Sequence, residues 1–146
     1  MYDNATVFSK AQAITASAAS TNTLDLGDTL HQIGQTAKKI NLVVLVGSHF
    51  SGSMTSMNVA LQDSADNASF ADTNIKISSV LKAKLVAGAL LIDVPMPRSG
   101  APAQVSAGIG FPPPGPSPLR RYLQVYYTLN GGDASAGTVY SYLDID

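Results

Sequence analysis

Among its 146 residues the chain has no cysteine, no tryptophan and no glutamate, and all ten of its acidic residues are aspartate. Without cysteine there is neither a disulfide framework nor a thiolate metal site. Without glutamate, paired-carboxylate acid–base chemistry has few candidates. Without tryptophan, the residue that stacks best on flat ligands is missing. Charge is scarce too: 13% of residues are charged, against about 25% in an ordinary soluble domain. The net charge of -1 leaves no electrostatic footprint for nucleic acid. The longest apolar runs, residues 42–46 and 85–92, are far short of the roughly 20 residues of a membrane span. Met1, Tyr2, Asp3 and Asn4 lack the basic start and apolar stretch of a signal peptide.

The few charges are unevenly spread. Residues 40–62 and 99–119 contain no Asp, Glu, Lys or Arg. A free monomer normally relies on a well-charged surface for solubility. A surface of Ser, Thr, Asn, Gln, Ala and Gly is suited to meeting other protein, although charge-poor surfaces also occur on ordinary β-sandwiches.

The patterning is that of short strands separated by turn residues. Residues 6–8 and 11–15 read as short extended pieces, 16–22 as a loop and 23–26 as a brief strand. Residues 40–46 form an apolar run suited to burial on both faces, expected to stop at Gly47 before a flexible stretch at 48–53. In 57–63, Met57, Val59 and Leu61 alternate with Asn58, Ala60 and Gln62, as in a half-buried strand. Turn residues fill 63–72. Strands are expected at 75–80 and at 85–95, the latter with an irregularity at Gly88 and a stop at Pro95 and Pro97. Residues 99–118, rich in Pro and Gly, read as a long irregular loop. In 121–129, Leu123, Val125, Tyr127 and Leu129 share one face. Asn130-Gly131-Gly132 is expected to close a terminal hairpin with 138–145. The chain thus reads as one all-β domain over residues 1–146: a two-sheet antiparallel sandwich of jelly-roll or Greek-key type with long irregular loops, and residues 1–20 as an extended N-terminal segment.

Chemistry-bearing motifs are sparse. His31 and His49 lie apart and in no metal-binding spacing. Asp63, Asp66 and Asp72 do not make an EF-hand loop and read as turn formers. Gly34 with Lys38-Lys39 is not a phosphate loop, and the Gly108–Gly110 pair has no βαβ context. The expectation is a non-enzymatic protein with no cofactor and no metal. Tyr122, Tyr126, Tyr127, Tyr140 and Tyr142 cluster on the expected terminal hairpin. They read as cross-strand pairs that stabilise the sheet, with a sugar-binding platform as the competing reading.

Three stretches, in order, carry a resemblance. The first runs from Phe8 to Thr15 and from Ala18 to Gly27 (FSKAQAIT, AASTNTLDLG). The second runs from Met57 to Asp66 with Phe70 (MNVALQDSAD). The third is LRRYLQVYYTL at 119–129 with Ala136-Gly137-Thr138-Val139. Together they resemble the cement, or decoration, protein family of podovirus-type bacteriophage capsids. The resemblance implies a jelly-roll virion protein, made in the bacterial host cytoplasm, that sits on the outer face of an HK97-type shell. It further implies that the protein stabilises the expanded shell by bridging capsomers, with the major capsid protein and other copies of itself, as dimer or trimer, for partners. No nucleic acid, membrane or catalytic residue is implied. The residues themselves point to the interface-forming parts: Tyr2 and Phe8 near the N-terminus, Phe111, Pro112, Pro113 and Pro114 in the Pro-rich loop, and Arg120 and Arg121 beside it. The two arginines are expected to meet capsid carboxylates or to be plain surface charges. The alternative expectation is a carbohydrate- or receptor-binding jelly-roll module of a phage virion.

Overall fold

The computed structural model describes residues 7–25, 40–95 and 120–145. Nine strands are found among them: β1 (Val7–Ala13), β2 (Ala18–Ala19), β3 (Leu24–Asp25), β4 (Ile40–Gly52), β5 (Ser56–Ser64), β6 (Ala71–Leu81), β7 (Leu90–Pro95), β8 (Tyr122–Asn130) and β9 (Ala134–Ile145), with one 3-10 turn at Lys82–Lys84. One sheet has the order β1-β9-β4-β7 and the other β2-β8-β5-β6, with β3 also pairing β8. All pairings are antiparallel. If β2 and β3 are taken as one interrupted edge strand, this is the eight-stranded jelly-roll order. The all-β sandwich expectation therefore holds.

The core lies between the sheets, and alternation builds it. Met57, Val59 and Leu61 of β5 point inward, as do Leu123, Val125 and Tyr127 of β8 and Val139 and Leu143 of β9. Leu42, Val44, Val46 and Phe50 of β4 and Phe8 of β1 complete it from the first sheet.

Several local expectations change. The strand expected to end at Gly47 continues to Gly52 because β9 pairs with it over its whole length, from Ile40↔Ile145 to Gly52↔Ala134. The two pieces expected at 6–8 and 11–15 meet, within the described residues, in one strand, β1 (Val7–Ala13), irregular where Ala11 takes φ 50° and the register slips. Ala18–Ala19, expected in a loop, pairs with Tyr126 and Tyr127. The strand expected at 85 starts at Leu90, since Leu85 turns into the core and Gly88, at φ +84°, sits in the turn. Residues 7–13 and 18–19 of the expected N-terminal arm are built into the protein's own sheets.

The largest correction is the terminal hairpin. β8 and β9 do not pair; they belong to different sheets. The chain turns the corner at Gly131 and Gly132, at φ +83° and +144°, a backbone region open to glycine. The β4–β5 corner lies against it. Ser53 N and Met54 N donate to Asp133 O, at 3.1 and 3.2 Å, and Thr55 N donates to Asn130 O at 2.8 Å. Two adjacent strands therefore cross from sheet to sheet together, the step that separates a jelly roll from a meander.

Of the three aspartates read as turn formers, Asp66 fills that role. Its Oδ1 accepts from Ser64 Oγ (2.7 Å), Ser69 N (2.9 Å) and Ala68 N (3.0 Å). The Ser69 amide first, then the Ser64 hydroxyl and the Ala68 amide, pull the carboxyl down to about 2. Because the folded value lies below the free one, the turn is favoured above the usual carboxylate range and loses that support as pH falls through about 2. NMR titration of the Asp66 side chain is expected to show a midpoint near 2, moving up in Ser64→Ala. An ordinary aspartate midpoint would contradict the turn.

Candidate functional site

Exposed large hydrophobic side chains are few, and the described residues place them together in sequence. Leu81 is 57% exposed, Val86 43% and Leu90 57%. All lie in residues 81–90, the connection between β6 and β7, the two strands that end their sheets on the same side of the sandwich. Isolated apolar residues on a surface are ordinary; three on one short connection make it the candidate contact surface among the described residues.

This connection is firmly held. Leu85 is fully buried and anchors it. Phe50 N donates to Leu85 O (3.0 Å), Gly88 N to Val46 O (2.8 Å), Val46 N to Ala89 O (2.9 Å) and Lys82 N to Thr55 O (3.0 Å). Lys82 Nζ donates to Gly52 O at 2.8 Å. The apolar side chains are thus presented on fixed backbone, which lowers the ordering cost of a partner binding there. Sequence reading missed this surface. Its signal was available as Leu81, Val86 and Leu90 beside Lys82 and Lys84, but residues 85–95 read as one strand.

The expected interface residues are scattered. Tyr2, Phe111, Pro112, Pro113 and Pro114 lie outside the described residues, as does the rest of the 99–118 loop. Phe8 is a correction: it is fully buried among the core side chains, so its ring offers no surface to a partner. Arg120 and Arg121 are both bound within the chain. Arg120 Nε and Nη2 donate to Asp63 Oδ1 at 3.0 and 2.8 Å, Nη2 also reaches Asp63 O at 2.8 Å, and the Arg120 amide donates to Asp63 Oδ2 at 3.1 Å. Arg121 holds Asp25 through both carboxylate oxygens, at 2.8 and 3.0 Å, and lies 5.1 Å above the Tyr122 ring. These charge-assisted bonds fix residues 120 and 121 at the entry to β8. Asp63, expected in a turn, is instead the nearly buried anchor of that clamp.

The expected tyrosine cluster is divided. Tyr122 and Tyr126 lie on the outer face of one sheet, Tyr140 and Tyr142 on the outer face of the other, and Tyr127 is buried. They cannot form one platform, because β8 and β9 part at the corner. Tyr127 instead spans the core from its own sheet to Ser9 and Ser141, which face each other on β1 and β9. Ser9 Oγ donates to Gln12 Oε1 at 2.6 Å. That uses its proton, so Tyr127 donates to Ser9 (2.9 Å) and Ser141 donates to Tyr127 (2.8 Å). Burial pushes the Tyr127 phenol up, opposed by its bonds to Ser141 and Ser9.

Among the described residues no three of His, Cys, Asp or Glu come together as metal ligands. No helix among them is long and apolar enough to cross a membrane.

A family model described as Bbp16 matches residues 8–143. No curated protein matches the chain.

Proposed function

The chain belongs to the Bbp16 family, a phage-associated family whose model matches nearly its whole length, and on that footing we propose that it is a structural virion protein: a non-catalytic cement subunit that binds the outer face of an HK97-type capsid and stabilises the expanded shell by bridging capsomers. Its partners are the major capsid protein and further copies of itself. Family membership supports the phage setting. The observation that carries the docking role is the anchored apolar connection at residues 81–90. The low charge content and the two-sheet sandwich agree with it. A subunit that binds only the expanded lattice stabilises that lattice by mass action, and many copies acting at once multiply a modest affinity.

The test uses expanded capsids that lack the protein. Added purified protein is expected to bind them and raise their rupture temperature. The double variant Leu81→Asp/Leu90→Asp, altered only at exposed positions, is expected to keep its Tm and to lose at least about tenfold in capsid affinity, the loss of two buried apolar contacts. Wild-type protein that neither binds such shells nor protects them would end the cement reading. Undiminished binding by the double variant would move the contact away from residues 81–90.

A further inference from the structure

The outer face of the β2-β8-β5-β6 sheet holds a groove with a volume of ≈ 390 Å³, within the range of small-ligand sites. Its origin is a missing side chain. On β5, Ala60 stands between Tyr126 of β8 and Lys76 of β6 in register, with Asn58 and Gln62 before and after it on the same face. The methyl group leaves a hollow with Tyr126 on one side, Lys76 on the other and two amides at its ends.

The polar groups around the hollow are already fixed. Gln124 Nε2 donates to Gln62 Oε1 at 2.7 Å and Gln62 Nε2 donates to Asp72 Oδ1 at 2.9 Å, a row across three strands. Asn58 Oδ1 accepts from Ser79 N at 2.7 Å and from Asn130 Nδ2 at 3.2 Å. Among the described residues capacity remains in each: the Asn58 amide protons, one Gln62 amide proton, the second Asp72 oxygen and the Lys76 ammonium. Groups held in place before a ligand arrives lower the cost of binding it.

One aspartate and one lysine cancel, so the lining has no surplus of positive charge for a phosphate and none of negative charge for a polycation. What it offers is a half-exposed aromatic wall beside mixed donors and acceptors. A sugar ring needs that combination: its C–H face lies against an aromatic ring while its hydroxyls donate and accept at once. We propose that this groove is a saccharide-binding site for a mono- or disaccharide unit, with Tyr126 as the stacking wall and Asn58, Gln62, Asp72 and Lys76 as the hydroxyl-reading groups. The site is separate from residues 81–90 and does not depend on the capsid role.

The test is a glycan array of bacterial-surface saccharides, followed by NMR titration of the isotope-labelled full chain with any sugar retained. Amide shifts centred on Ala60, Gln62, Lys76 and Tyr126 are expected. Ala60→Leu fills the hollow from an outward-facing position and is expected to weaken binding at least about tenfold with Tm unchanged; Tyr126→Ala is expected to do so by a similar factor. Gln62→Ser supplies the same comparison if Ala60→Leu is unstable. The proposal is overturned if no saccharide binds, if the shifts centre elsewhere, or if the folded variants bind as tightly as the wild type.

Discussion

Phe50→Ala is expected to lower the unfolding free energy by about 3–5 kcal/mol, a fall in Tm of roughly 10 °C for a chain of this length. The ring is fully buried on the part of β4 beyond Gly47, and it packs against β9 at Gly137. A Cβ on Gly137 would lie 2.5 Å from two atoms of the ring, and the Gly137 backbone sits at φ +142°. Nothing larger than glycine fits beneath the ring, so the site cannot close over the cavity that alanine leaves. Gly137→Ala carries two penalties, the clash and the φ strain; on the Phe50→Ala background only the strain remains. A double-mutant cycle by urea denaturation is therefore expected to show a coupling of about 1 kcal/mol or more. A loss under about 1 kcal/mol for Phe50→Ala alone would place Phe50 outside the core and return residues 48–53 to the loop that their sequence resembles.

Tyr127→Phe is expected to cost about 1–3 kcal/mol while keeping the volume of the core. The loss comes from a proton chain. Ser141 donates to Tyr127, Tyr127 to Ser9, and Ser9 to Gln12, whose side chain also bonds Thr21 N and Ala19 O. Removing the phenol oxygen strands the Ser141 hydroxyl, which is fully buried. The pH dependence has a definite sign. Burial raises the folded phenol above its free value of 10.0, so folding favours the protonated form. That contribution is intact below about pH 10 and is lost as pH climbs through the raised folded value. Urea melts between neutral pH and pH 11 are expected to show a shallower alkaline decline in Tyr127→Phe than in the wild type. Equal slopes would remove Tyr127 from the alkaline limb.

Alternation along the chain was enough to sort side chains into two faces. It did so correctly for Met57, Val59 and Leu61 on β5 and for Leu123, Val125 and Tyr127 on β8, because a strand's period of two is a property of the local backbone. Pairing is not local. Residues 121–129 and 138–145 each looked like half of a hairpin, and Asn130-Gly131-Gly132 looked like its turn. Yet the same glycines carry the chain from one sheet to the other. A turn dipeptide specifies backbone angles and says nothing about which strand lies alongside, so the tyrosines expected to stand together were separated by that corner.

The scarcity of charge that marks this chain was plain in its composition, and the all-β class in its strand patterning. Tertiary structure alone decided where the few charges and the surface features fall. It bound Arg120 to Asp63 and Arg121 to Asp25, partners 57 and 96 positions away in sequence. It turned Phe8 inward, left Leu81, Val86 and Leu90 outside on anchored backbone, and opened a groove over Ala60. Each of these depends on register between strands distant in sequence. Register is set by the burial of whole faces at once, so it becomes visible only when the two sheets have closed on a common core.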